Sequence, residues 1–174
     1  MRIAFVFLLL PFVSQAQLSK QDSLWLPFQP FLGKWTGSGE GVDGKGTYER
    51  TYQFVLNNKY IEVRNKTVYP ATPEKPKGYI HEDVGYISYD KGRKTFVFRQ
   101  FHAEGFVNHY ELDSISADKK TMVFVSDVIE NIPKGWRARE TYVIGNGSLT
   151  EIFDLAKPGK LFEPYTRASL LKNR

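Results

Sequence analysis

From Gly33 to the C-terminus the chain is a succession of short runs in which apolar and polar residues alternate, each run broken by turn-forming residues. Alternation with a period of two places one set of side chains on each face of an extended strand. About ten such runs stand at 33–40, 45–56, 59–69, 79–89, 93–102, 106–115, 121–129, 136–144, 148–156 and 165–172. Val42-Asp43-Gly44, Asn57-Asn58, Asp90-Lys91-Gly92, Asp118-Lys119-Lys120, Gly145-Asn146-Gly147 and Lys157-Pro158-Gly159 separate them with residues suited to tight turns. Pro70–Lys77, with prolines at 70, 73 and 76, is a longer surface loop. Connections this short join antiparallel neighbours, and closing the sheet on itself leaves no free edge. The expected fold is all-β: an up-and-down antiparallel barrel of about ten strands over residues 33–174.

The residues ahead of the strands divide in two. A basic start at Arg2, the apolar run Ile3 to Val13 and the small-x-small triplet Ser14-Gln15-Ala16 read as a signal peptide over 1–16, with Gln17 opening the mature chain. The run is shorter than the about 20 residues a spanning helix needs, so no stable membrane insertion is expected. The mature chain is expected to be secreted or periplasmic. Residues 17–32 hold Leu24, Trp25, Leu26, Phe28, Phe31 and Leu32, an apolar cluster that reads as a short helix closing the barrel. The absence of cysteine removes disulfide scaffolds, thiolate metal sites and thiol nucleophiles. A formal charge of +5 is small, and its lysines and arginines sit in or near turns, so nucleic acid is not an expected partner.

One hairpin assigns an inside and an outside. Ala103-Glu104-Gly105 fits a three-residue loop with Gly105 in the left-handed conformation, which pairs His102 with Phe106, Gln100 with Asn108, Phe98 with Tyr110 and Phe96 with Leu112. One face then carries Phe96, Phe98, Gln100, His102, Phe106, Asn108, Tyr110 and Leu112. Apolar members lie away from the loop and polar ones near it, the usual construction of a small-molecule site. A loop shorter by one residue would exchange these faces.

Other motifs are weaker. Gly39-Glu40-Gly41-Val42-Asp43-Gly44 has the GxGxxG spacing, but β-forming residues follow it where a phosphate site needs a helix. Its glycines instead suit a sharply coiled strand and a turn. His81, His102 and His109 are too scattered along the chain for a recognisable metal-ligand spacing. Glu82-Asp83 and Glu140 fall within strands beside basic or aromatic neighbours. Arg137 and Arg139 share one face of a strand, opposite Trp136, Ala138, Glu140 and Tyr142, so either face delivers a charged group to the cavity, to meet an anionic ligand head.

Phe31-Leu32-Gly33-Lys34-Trp35-Thr36-Gly37-Ser38-Gly39-Glu40-Gly41 resembles the opening of nitrobindin-like haem-binding β-barrels, relatives of the lipocalin and fatty-acid-binding barrels. His81-Glu82-Asp83-Val84-Gly85-Tyr86-Ile87 is similar to that family's His-x-acid-x-Gly-aromatic-aliphatic strand. The resemblance implies a ten-stranded barrel and haem as a cofactor. It also implies an iron ligand in the last strand, where this chain has Tyr165 in place of the family's histidine. Tyrosine is a known ligand of haem iron. By the same resemblance Trp35 closes the barrel base and stacks on a basic side chain of the last strand, for which Arg167 is the candidate.

The candidate ligand-binding residues are therefore Phe96, Phe98, Gln100, His102, Phe106, Asn108, Tyr110, His81 and Trp35, with Tyr165 as candidate haem ligand. The leading expectation is a barrel that binds a small hydrophobic or amphipathic molecule, haem included. The alternatives are an enzyme on the same barrel, either a hydrolase or isomerase using His102, His81 or a carboxylate, or a haem-dependent peroxynitrite isomerase, and an envelope barrel filled by its own side chains.

Overall fold

The computed structural model describes residues 23–173, so the leader expected over 1–16 and residues 17–22 lie outside the described residues. Ten strands follow in order: β1 Gly33–Gly41, β2 Gly44–Val55, β3 Tyr60–Tyr69, β4 Tyr79–Asp90, β5 Thr95–His102, β6 Val107–Ile115, β7 Thr121–Glu130, β8 Arg137–Ile144, β9 Ser148–Ala156 and β10 Glu163–Lys172. Each pairs antiparallel with its chain neighbours, and β10 returns to β1 to close the barrel. Every alternating run in the sequence is one of these strands.

The GxG segment makes the closure possible. Gly37, Gly39 and Gly41 alternate along β1 opposite β10, where the two backbones run unusually close. A Cβ at Gly39 would stand 2.6 Å from the Arg167 carbonyl oxygen and 2.8 Å from the Tyr48 ring. At Gly37 and Gly41 the carbonyls of Ser169 and Tyr165 come closer still. These glycines serve the seam of the barrel, and no helix follows them to cradle a phosphate.

A plug fills one end. Leu26–Phe31 forms a 3-10 helix with prolines at its start and within it, a sequence that suits a short tight helix and not a long α-helix. Trp25, Phe28 and Phe31 are buried by it. The Phe28 ring lies 4.6 Å from Phe96, and Phe31 lies 5.8 Å from Tyr142. Trp35 donates its indole N–H to the Phe31 carbonyl at 2.7 Å, tying plug to β1. The cation over the Trp35 ring is Lys172, with Nζ at 5.3 Å, and not the expected Arg167. The pairing explains the difference: Lys172 is directly opposite Trp35, whereas Arg167 is opposite Glu40 and points outward. No helix among the described residues is long and apolar enough to cross a membrane.

Candidate functional site

The turns that follow β1, β3, β5, β7 and β9 gather at the end away from the plug, and there the barrel opens into a cavity of about 450 Å³. The β5–β6 hairpin has the expected register. Gly105 takes φ +92°, its N–H reaches the His102 carbonyl at 2.9 Å, and Gln100 and Phe98 face Asn108 and Tyr110. The polar end of that face therefore looks into the open half of the barrel.

Of the candidate residues, His81, Gln100, His102, Phe106, Asn108 and Tyr165 line the cavity. Phe96, Phe98, Tyr110 and Trp35 also point inward but are packed in the closed half, where Phe98 stacks on Tyr110 at 5.6 Å. Tyr110 lies just behind the cavity lining, its hydroxyl accepting from Asn108 Nδ2 at 2.8 Å.

Two polar groups that sequence reasoning did not single out dominate the interior. Arg50 on β2 and Glu151 on β9 meet across the barrel at 2.8 Å, and Tyr52 donates to the same carboxylate at 2.9 Å. Burial works against the Arg50 charge, but Glu151 and Asp83 more than compensate and keep the guanidinium protonated. Glu140 on β8 is enclosed by the barrel while its carboxyl faces the cavity. Burial first, and then the carboxylates Glu151 and Asp83, push its pKa well above the usual carboxylate range, which favours the protonated form. Arg137 and Arg139 turn outward onto the Phe162 ring at 4.8 and 4.6 Å, with Arg139 paired to Asp154 at 2.7 Å. The ionisable residue that β8 sends inward is thus a carboxylic acid, and neither β8 arginine is there to meet the expected anionic head.

A second network occupies the rim. His81 Nδ1 lies 2.7 Å from Glu104, which also accepts from the Tyr79 hydroxyl, and Asp83 accepts from Asn65 and Gln100, both at 2.8 Å. Burial lowers the His81 pKa, yet its hydrogen bonds to Asp83 and Glu104 outweigh that and raise it overall. His102, stacked on Phe106 at 4.0 Å, goes the other way: burial brings it down to about 4, so its imidazole is neutral.

The profile of the THAP4-like, heme-binding beta-barrel domain matches residues 25–172, the whole barrel and most of its plug. The chain belongs to this haem-binding barrel family. Among solved structures it is similar to the Rv2717c protein of M. tuberculosis, at a TM-score of 0.65 and 14% identity, over 91% of this chain and 100% of that one. At that identity the likeness is one of fold. None of the curated proteins compared with the chain matches it.

Within this member of the family, the last-strand position is the most informative. Alternation along β10 sends Ala168 and Leu170 inward and would turn Tyr165 out. The pairing with β9 slips between Pro164 and Thr166, and this bulge re-aims Tyr165 so that it and Thr166 both line the cavity. Its ring meets Phe153 edge-on at 5.4 Å. Burial, followed by the Asp43 carboxylate, pushes the phenol up, so it is protonated when the cavity is empty of cations. In the ring of strands β10 lies five places from β5 in either direction, which sets Tyr165 and His102 on opposite walls. Phe106, Ile129, Trp136, Phe153 and Leu155 supply the apolar lining between them. A phenol on one wall and aromatic surfaces around an open slot are residues that fit a haem.

Proposed function

We propose that this chain is an exported binding barrel that takes a flat, largely apolar small molecule into its open end, and that haem is that ligand. The observation that carries the reading is the bulge in β10, which brings Tyr165 into the cavity at the strand position where the family resemblance places the iron ligand. Tyr165 Oη would hold the iron, and Phe106, Trp136 and Phe153 would supply apolar contact to the macrocycle. When bound, haem supplies an iron centre able to take small diatomic or oxyanion ligands. The neutral Glu140 and His102 offer one donor and one uncharged imidazole on the cavity side, and neither adds a charge that would oppose an apolar guest. The Arg50–Glu151 pair fixes the floor on which the guest rests.

Titration of the mature chain with hemin tests this. A Soret band saturating at one equivalent is expected, shifted and weakened at least about tenfold in Tyr165→Phe. An unchanged hemin spectrum in the wild type overturns the haem reading. For export, N-terminal sequencing of protein recovered from outside the cytoplasm should begin at Gln17; recovery only from the cytoplasm with Met1 retained overturns it.

A further inference from the structure

Two adjacent strands bring together three side chains of a kind that binds metal. The β4–β5 pairing sets Asp83 directly opposite His102, and His81 precedes Asp83 by two residues on the same inward face. One ligand atom from each of His81, Asp83 and His102 lies within 4.8 Å of the other two. His81 Nε2 and Asp83 Oδ2 are 3.5 Å apart. Bonds of about 2.1 Å around a tetrahedral ion separate its ligand atoms by about 3.4 Å, so this pair already stands at ligating distance. The His102 ligand atom lies within 4.8 Å of both and has to move inward to join them.

Each of the three is held from behind. Glu104 takes the other nitrogen of His81, at 2.7 Å. Asn65 and Gln100 both donate to Asp83 Oδ1, at 2.8 Å, leaving Oδ2 toward the imidazoles. His102 Nε2 faces the Asn108 amide at 3.1 Å, while its Nδ1 is buried without a partner, and so is Asn108 Oδ1. Turning the Asn108 amide over lets Oδ1 accept from Nε2–H and from the Tyr110 hydroxyl, which then becomes the donor, and frees the Nδ1 lone pair. Carboxylates and amides behind the imidazoles and carboxylate are how metal ligands are oriented. An ion-pair cluster formed for the rim alone has no use for a buried imidazole nitrogen left without a partner.

We propose that His81, Asp83 and His102 form a three-ligand site for a divalent first-row transition cation, separate from the Tyr165 wall, with its open positions facing the cavity. Two imidazoles and one carboxylate favour ions such as Zn²⁺ or Fe²⁺ over Mg²⁺ and Ca²⁺, which take oxygen ligands. The open positions would accept water or a polar atom of the guest. The site stands on its own geometry and does not rest on the haem reading.

The test uses tag-free, haem-free mature chain titrated with Co²⁺ as a visible probe, followed by displacement with Zn²⁺. One equivalent is expected to bind with d–d absorption of a low-coordinate site, to be displaced by Zn²⁺ and to be indifferent to Mg²⁺ and Ca²⁺. His102→Gln and Asp83→Asn should each weaken binding by about 100-fold or more, and Glu104→Gln, on the exposed rim, by about tenfold. Circular dichroism verifies that each variant is folded; should Asp83→Asn unfold, His102→Gln and Glu104→Gln decide. Binding weaker than about 100 μM in the wild type, or undiminished in folded His102→Gln, overturns the site. Loss of binding in His109→Ala in its place, at the outward histidine paired with Glu130, would assign the metal to the surface and equally overturn it.

Discussion

At the scale of single residues, Arg50 carries the most. Its side chain is buried, and its donors reach Glu151 at 2.8 Å and the carbonyls of Glu49 and Lys66 at 2.9 and 3.2 Å, with the Tyr48 ring 5.0 Å away. A pair so enclosed gains little net stability, because desolvation cancels much of the attraction, but removing one partner strands the other. Arg50→Met should therefore cost about 3–5 kcal/mol in urea unfolding, through the orphaned Glu151 carboxylate. The double variant Arg50→Met/Glu151→Leu should recover most of that loss. A double variant no more stable than the single one would show that the cost lies in lost packing. Neither residue stood out in the sequence, although both sit at inward positions of alternating strands. Their pairing joins β2 to β9, and that depends on which strands face each other across a closed barrel.

At the scale of elements, the strands were legible because a period of two is a local property of ten residues or fewer. The β5–β6 register was legible for a similar reason: Gly105 at φ +92° selects one loop geometry, and that geometry orders every pair behind it. The juxtaposition of His81, Asp83 and His102 was not, because it needs the register of β4 against β5 as well, and a slip of one residue turns a whole face outward. Tyr165 shows the limit from the other side. Strict alternation mis-aims it, and only the bulge, a feature of pairing and not of composition, brings it in. The β1–β10 seam is an element-level feature with a direct test. Gly39→Ala would press its Cβ against the Arg167 carbonyl and should destabilise the barrel by about 1–3 kcal/mol, since backbone there cannot give way cheaply. Ser38→Ala, one residue away and facing out, should stay within about 0.5 kcal/mol. Equal thermal melts for the two variants would mean that the seam has room to relax.

The whole molecule is a closed wall plugged by aromatic residues at one end and open at the other, with an interior that holds more acid than base. Arg50 answers Glu151, and Asp83 is bound by amides, which leaves Glu140 facing the cavity without a cation of its own. Its folded pKa lies well above the unfolded value of 4.5, raised by burial and then by Glu151, Asp83 and Asp154, against the lowering pull of Arg50. Between the two values the folded chain holds a proton that the unfolded chain has released. The stability slope with pH is then negative: the contribution is complete below 4.5 and fades as pH climbs toward the folded value. Tyr110 and Tyr142 are also pushed upward, by burial first, and so stay neutral across this range. Glu140→Gln keeps a neutral group of the same shape and removes the titration. The two proteins should match in stability near pH 4 and diverge as pH rises above 4.5, the variant becoming progressively the more stable. Chemical unfolding at a series of pH values measures that difference while every other titrating group cancels. Parallel curves would mean that Glu140 is ionised in the folded barrel, and that the cavity floor presents a negative charge to its guest.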